Sequence, residues 1–183
     1  MTKLLLTTIL ATILAIAGTA SADVPPDPRC LEIEGVIVGQ DEVGMTNGGL
    51  RIDVHMEGQA VEGLLAGSTG TASARTIFRH DGVTEFDIRL LMTDRAGGTI
   101  AATVIGYQRP AVPMSLTEML NAMVDLDYAP PDVYGPLHGA AWFEPMAPEY
   151  AVLNHHDFAA GGEAKMATGH MWVTHCPIAP ERS

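Results

Sequence analysis

Basic residues are scarce in this chain: lysine and arginine together number 10 against 22 acidic residues, for a formal charge of −12. Affinity for nucleic acid rests on basic side chains meeting phosphates, so a surface of this sign argues against nucleic acid as a partner. Anionic membrane surfaces are disfavoured on the same ground. Long apolar runs are missing after residue 17, and the one run present, 4–17, is too short to span a bilayer comfortably. It follows the single basic residue Lys3 and precedes Ala20-Ser21-Ala22, which is the three-part pattern of a secretory signal peptide. The expectation is a signal peptide over 1–22, a mature chain from about Asp23, no membrane anchor after cleavage, and a periplasmic or secreted location. Asp27, Pro28 and Arg29 before Cys30 are not the apolar and small residues that a lipidated cysteine needs.

Cysteine is nearly absent too, with Cys30 and Cys176 at opposite ends of the mature chain. In an oxidising compartment the two can pair, and the first and last strands of many closed barrels are neighbours; two unpaired thiols are the alternative. Several chemical signatures are missing. No His-x-His or His-Glu-x-x-His spacing occurs, His170 and His175 would point to opposite faces of a strand, and no metal site is expected. No nucleophile elbow is present, and the glycine-rich segments lack the strand-to-helix context of a phosphate cradle. No cofactor is implied.

What is there reads as β-structure. Removing the leader leaves about 160 residues, a usual size for one domain, with no repeat or linker to divide 23–183. Lys3 leaves with the leader, taking the formal charge to −13. Segments rich in β-branched residues predict strands over 31–40, 50–57, 60–66, 73–80, 84–93, 99–107, 139–144, 151–157 and 167–176. Turn signals separate them at Thr46-Asn47-Gly48-Gly49, Gly67-Ser68-Thr69-Gly70, Asp81-Gly82 and Ala96-Gly97-Gly98. That density of hairpins predicts an antiparallel barrel or sandwich. One stretch differs: Ser115-Leu116-Thr117-Glu118 has the form of a capping box, and Leu116, Met119, Leu120 and Met123 follow at helical spacing. A short helix is expected there, in a proline-flanked excursion that is either a plug over one barrel end or a moving lid.

The stretch from His80 to Arg95 places Glu85, Asp87 and Arg89 at alternate positions, with Phe86, Ile88, Leu90 and Met92 between them. Such a strand carries its charges on one face, which is either solvated surface or the wall of a polar cavity. Arg51, Asp53 and His55 repeat the design against Leu50, Ile52, Val54 and Met56, which favours the outward reading. In a cavity, two carboxylates about 7 Å apart beside an arginine could supply a general acid or base. His155-His156-Asp157 forms a second polar cluster, but strand alternation would keep any three of these groups from converging.

Gly35 to Asp41, Val43-Gly44 with Thr46, Gly49-Leu50-Arg51, Arg79 with Asp81-Gly82-Val83, Glu85-Phe86-Asp87 with Arg89, Thr93-Asp94, Phe143-Glu144, and Pro148-Glu149-Tyr150-Ala151 with Leu153-Asn154 occur in an order and spacing that resemble the domain-of-unknown-function 3237 family, also called uncharacterised protein family 0311. The resemblance runs over nearly the whole mature chain. It implies a compact mostly-β fold, an antiparallel β-barrel similar in outline to calycin or allene-oxide-cyclase barrels, and no particular activity. Members typically carry Gly-Gly-Ala-Asp-Trp before the Arg-x-Asp-Gly motif, where this chain has Gly67-Ser68-Thr69-Gly70-Thr71-Ala72-Ser73. They also tend to have arginine after Leu-Asn, where this chain has His155.

The functional expectation is a barrel whose interior or mouth takes a small, largely apolar organic molecule, walled by Tyr107, Trp142, Phe143 and the methionine-rich excursion. As an enzyme it would perform cofactor-independent acid/base chemistry of isomerase, cyclase or lyase type. Glu85 or Asp87 would move the proton, Arg89 would stabilise negative charge, and Tyr150 or Asn154 would orient the substrate. The competing readings are a carrier that binds without turnover and an acidic protein that docks a basic partner.

Overall fold

The structure is a computed structural model that describes residues 29–109, 112, 115–118, 134–165 and 168–178. The expected signal peptide over 1–22, and Met114, Met119, Leu120 and Met123 of the excursion, lie outside the described residues. Eight strands follow one another: β1 (Leu31–Thr46), β2 (Gly49–Glu62), β3 (Thr69–Arg79), β4 (Thr84–Thr93), β5 (Thr99–Gln108), β6 (Tyr134–Pro145), β7 (Phe158–Lys165) and β8 (His170–Pro177). Each pairs with the next, and β8 returns to β1, so the sheet closes into an antiparallel up-and-down barrel. Closure removes the open edges that a sheet of this size would otherwise expose.

Alternation determines which side chains enter. On β2, Leu50, Ile52, Val54 and Met56 are buried, while Arg51, Asp53 and His55 lie on the outer face. On β4 the inward set is Thr84, Phe86, Ile88, Leu90 and Met92, with Glu85, Asp87 and Arg89 outward. One end of the barrel is packed solid. Leu31, Met92, Phe143 and Phe158 fill it, and Leu65, in the turn after β2, closes it from outside. Leu153 adds to this base from a 3-10 helix, Pro148–His155. Tyr150 of the same helix hydrogen-bonds the Asp94 carboxylate, which also accepts from the backbone N–H groups of Ala96 (2.8 Å) and Gly98 (2.7 Å) in the β4–β5 turn.

The other end is looser. The β1–β8 pairing runs only from Leu31↔His175 to Val36↔His170, and β1 then continues to Thr46 paired with β2 alone. Ile37 makes the last bond across the seam, donating to the Gly169 carbonyl at 3.0 Å. The expected capping box is present here. The Ser115 N–H and Oγ each lie 2.7 Å from Glu118 Oε2, and Glu118 N–H donates back to Ser115 Oγ at 3.3 Å. Leu116, in this first turn, packs on Leu50, Ile52, Val54 and Met56, as a plug would.

Four segments depart from the sequence reading. The predicted strands 50–57 and 60–66 are one strand that ends at Glu62, because the chain turns at Gly63, whose φ of 82° favours glycine. Residues 151–157 are not a strand but 3-10 helix and loop: Pro148 presets the first helical φ, and apolar residues at 151–153 do not alternate. That helix also removes the strand alternation assumed for His155, His156 and Asp157. β6 begins at Tyr134, ahead of the predicted 139. β7 is absent from the sequence reading because Phe-Ala-Ala-Gly-Gly-Glu-Ala-Lys has little β-propensity. Its Gly162 is needed for close approach, since a Cβ there would collide with the Trp172 carbonyl of β8.

Candidate functional site

Two concavities lie on opposite sides of the same strands. The outer one is an open depression of about 740 Å³ over β3, β4 and β5, lined by Arg75, Arg79, Glu85, Asp87, Tyr107 and Arg109. Its polar row is paired internally. Arg79 Nη1 donates to Glu85 Oε1 at 2.6 Å, and its other nitrogens reach both Asp81 oxygens at 3.1 and 2.7 Å. The arginine holds the Asp81 carboxyl below its usual range, helped by the Val83 N–H. Asp87 sits between Arg75, 3.8 Å away on β3, and Arg89, whose Nε is 3.2 Å from Asp87 Oδ1. That oxygen is buried and has no aligned hydrogen bond, so its contact with Arg89 is charge attraction without hydrogen-bond geometry. Arg89 Nη1 donates to Thr103 at 2.7 Å. Further round the wall, Arg51 grips Asp53 through two bonds of 2.8 and 2.7 Å and holds that carboxyl below its usual range.

The inner concavity is a cavity of about 260 Å³ inside the looser half of the barrel. It exists because the inward residues there are small. Ala72, Ala74, Thr76, Thr84 and Ala164 face the axis where the packed end has Phe143, Phe158 and Met92. Ile52, Val54, Met56, Phe86, Ile88 and Met171 supply its apolar wall. His175 also contributes to the lining, 2% exposed, with its ring 5.5 Å from that of Phe143 in an edge-to-face contact. Its Nδ1 is buried and has no hydrogen-bond partner among the described residues. Burial pushes this imidazole down to about 4, so it is neutral at neutral pH.

The residues singled out from sequence do not converge on one site. Glu85, Asp87 and Tyr107 share the outer depression, and Arg89 lies beside it. The row does not wall the interior, because its parity on β4 is opposite to that of Phe86 and Ile88. Trp142 is 37% exposed on the outer face of β6, whereas its neighbour Phe143 points into the packed end. Tyr150 and Asn154 ride on the 3-10 helix at that packed end, Asn154 exposed and Tyr150 engaged with Asp94. His170 and His175 do point to opposite faces, with His170 Nε2 2.7 Å from Glu34 Oε1.

Sequence reading missed His175 as a site residue. Its signal was there: in Met171, Val173 and His175 a histidine occupies a position of apolar parity. Among the described residues no group of three or more histidine, cysteine, aspartate or glutamate side chains is placed to hold a metal ion.

No protein-family model matches the chain, and no curated protein sequence does. Solved structures do. A conserved protein of unknown function from Rhodopseudomonas palustris aligns with a TM-score of 0.59 at 15% identity, covering 80% of this chain and 94% of that one. A protein of unknown function from Clostridium acetobutylicum gives 0.57 at 16%, covering 80% and 93%. A β-barrel-like protein from Acinetobacter baumannii gives 0.57 at 19%, covering 80% and 92%. At these identities the likeness shows the shared barrel fold and nothing of function. Cys30 and Cys176 are joined in a disulfide, which points to a non-reducing compartment, and no helix among the described residues is long and apolar enough to cross a membrane.

Proposed function

We propose that this protein is an exported binding barrel, periplasmic or secreted, that holds a small, largely apolar organic molecule in its interior. The observation that carries this reading is the inner cavity of about 260 Å³, with apolar walls from all eight strands and a plug residue, Leu116, packed on the same inward side chains. That volume lies between a benzene-sized hole of about 150 Å³ and the drug-sized pockets of about 300–1,000 Å³. The order of sequence motifs supports placing the chain with the domain-of-unknown-function 3237 family, whose implied barrel agrees with this architecture.

The test is to purify the mature protein from an oxidising compartment, denature it and identify released small molecules by mass spectrometry, alongside titration of the emptied protein with apolar probes. A co-purifying organic molecule, or probe binding that raises Tm, is the expected result. An empty protein that no apolar probe stabilises would overturn the reading.

A second reading is favoured by one observation, the buried and unaligned Asp87 Oδ1 in the outer depression. There Asp87 or Glu85 would move a proton for a substrate lying against Tyr107, and Arg89 would stabilise the charge that develops. Turnover lost in Asp87→Asn with Tm unchanged would support it; turnover retained would remove it.

A further inference from the structure

We infer that the His175 imidazole is the polar anchor of the inner cavity, and that the ligand it selects is a neutral, largely apolar molecule carrying one hydroxyl group. This rests on the binding reading above and adds to it the chemical class of the ligand.

A neutral imidazole presents one donor and one acceptor nitrogen, and buried polar atoms in folded proteins are overwhelmingly paired. Here Nδ1 is buried with no hydrogen-bond partner among the described residues, in a side chain that lines an apolar void. A histidine kept only for packing beside Phe143 and Val173 gains nothing from its nitrogens, because leucine would fill the same space without an unpaired polar atom. The strand also carries the group far from solvent. His175 pairs with Leu31 and Ala160, deep in the packed half, whereas the rim residue Lys165 pairs with His170 at the other end of β8.

The charge of the ligand follows from the same placement. A carboxylate at this depth would lose its hydration and find an uncharged ring, since the lysine of the lining is five register positions away toward the rim. An ammonium would fare no better, because the acidic members of the lining lie away from His175: Glu34 is three register positions along β1 from the Leu31↔His175 pair and is engaged with His170, and Glu57 pairs with Val36, five positions along. A hydroxyl both donates and accepts, so it satisfies the imidazole in either tautomer without carrying charge into the cavity. Burial pushes its pKa down to about 4, which keeps the ring neutral and available as an acceptor at neutral pH.

The experiment compares 1-naphthol with naphthalene, two probes of nearly one shape that differ by a hydroxyl, using the mature disulfide-bonded protein and equilibrium dialysis. Wild type should bind 1-naphthol about tenfold tighter, against the greater water solubility of the alcohol. His175→Leu should bind naphthalene at least as well as wild type and lose the preference, and His175→Gln should restore part of it. Equal binding of the two probes by wild type, or a preference that survives in His175→Leu, would overturn the anchor and leave the cavity reading standing. Binding of neither probe would remove both.

Discussion

Cys30 and Cys176 are bridged across the seam where β1 meets β8, with their Cα atoms 4.2 Å apart and the two residues 146 positions apart in sequence. Cys30 immediately precedes β1, and Cys176 follows His175, the pairing partner of Leu31. The covalent link therefore ties the first strand to the last at the packed end, where β1 and β8 begin a pairing that gives out after Val36. A loop of this length is where a cross-link restricts the unfolded chain most, by about 4–5 kcal/mol in the chain-entropy treatment.

The Cys30→Ser/Cys176→Ser variant should therefore unfold at a markedly lower urea concentration than the oxidised protein, with a loss of about 2–5 kcal/mol. Urea titration followed by far-UV circular dichroism checks it. Coincident midpoints would mean that the seam is held by its strand pairing alone.

Asp87 lies outside the barrel between two arginines, and its side chain is 27% exposed. Partly solvated ion pairs of this kind contribute about 0–1 kcal/mol. Asp87→Asn should shift stability by no more than that and leave the affinity of an interior probe unchanged. A tenfold drop in probe affinity would show that the outer row and the cavity are coupled, through Phe86, which touches both concavities.

His175 gives stability a defined pH dependence. Its folded value of about 4 lies below the ordinary 6.5, so between those two pH values the unfolded chain binds a proton that the folded chain does not. Stability from this source is complete above about pH 6.5, falls as pH drops toward 4 and levels off below. The full window corresponds to about 3 kcal/mol at most. Asp53, Asp81 and Asp94 are held below their usual range by hydrogen bonds, so their contribution is present above pH 4 and is lost only as pH falls through their lowered values. Comparing wild type with His175→Leu cancels those carboxylates. The variant should be the more stable at pH 7 by about 1 kcal/mol, for removing an unpaired buried nitrogen, and its advantage should widen toward pH 4. A difference that does not vary with pH would contradict the buried neutral imidazole.

Leu116 is 6% exposed, on a short first turn whose capping box is reciprocal. Leu116→Ala removes its contacts with Leu50, Ile52 and Val54 and should cost about 2 kcal/mol. The sharper readout is kinetic: dissociation of a bound apolar probe, followed by stopped-flow fluorescence, should be faster in the variant. An unchanged rate would mean that the ligand leaves by another route, the gap in the seam beyond Ile37 being the alternative in the structure.

Local patterning in the sequence was enough to place 84–93 with the bounds the structure has, to set Leu50, Ile52, Val54 and Met56 against Arg51, Asp53 and His55, and to locate the capping box at Ser115 and Glu118. These are features of period two or of four adjacent residues, and such physics is complete within the segment. Alternation also indicated an outward face for Glu85, Asp87 and Arg89, though not whether that face lined a cavity. Tertiary structure decided the rest. β7 is a strand because β6 and β8 supply its partners, and its Gly162 is there for close approach rather than for propensity. The cavity depends on small residues of β3, β4 and β7 meeting across the axis, and His175 faces it only once β8 has closed against β1, residues 144 positions apart in the Leu31↔His175 pair. Alternation says which side of a strand a residue takes; only closure of the sheet says what lies opposite.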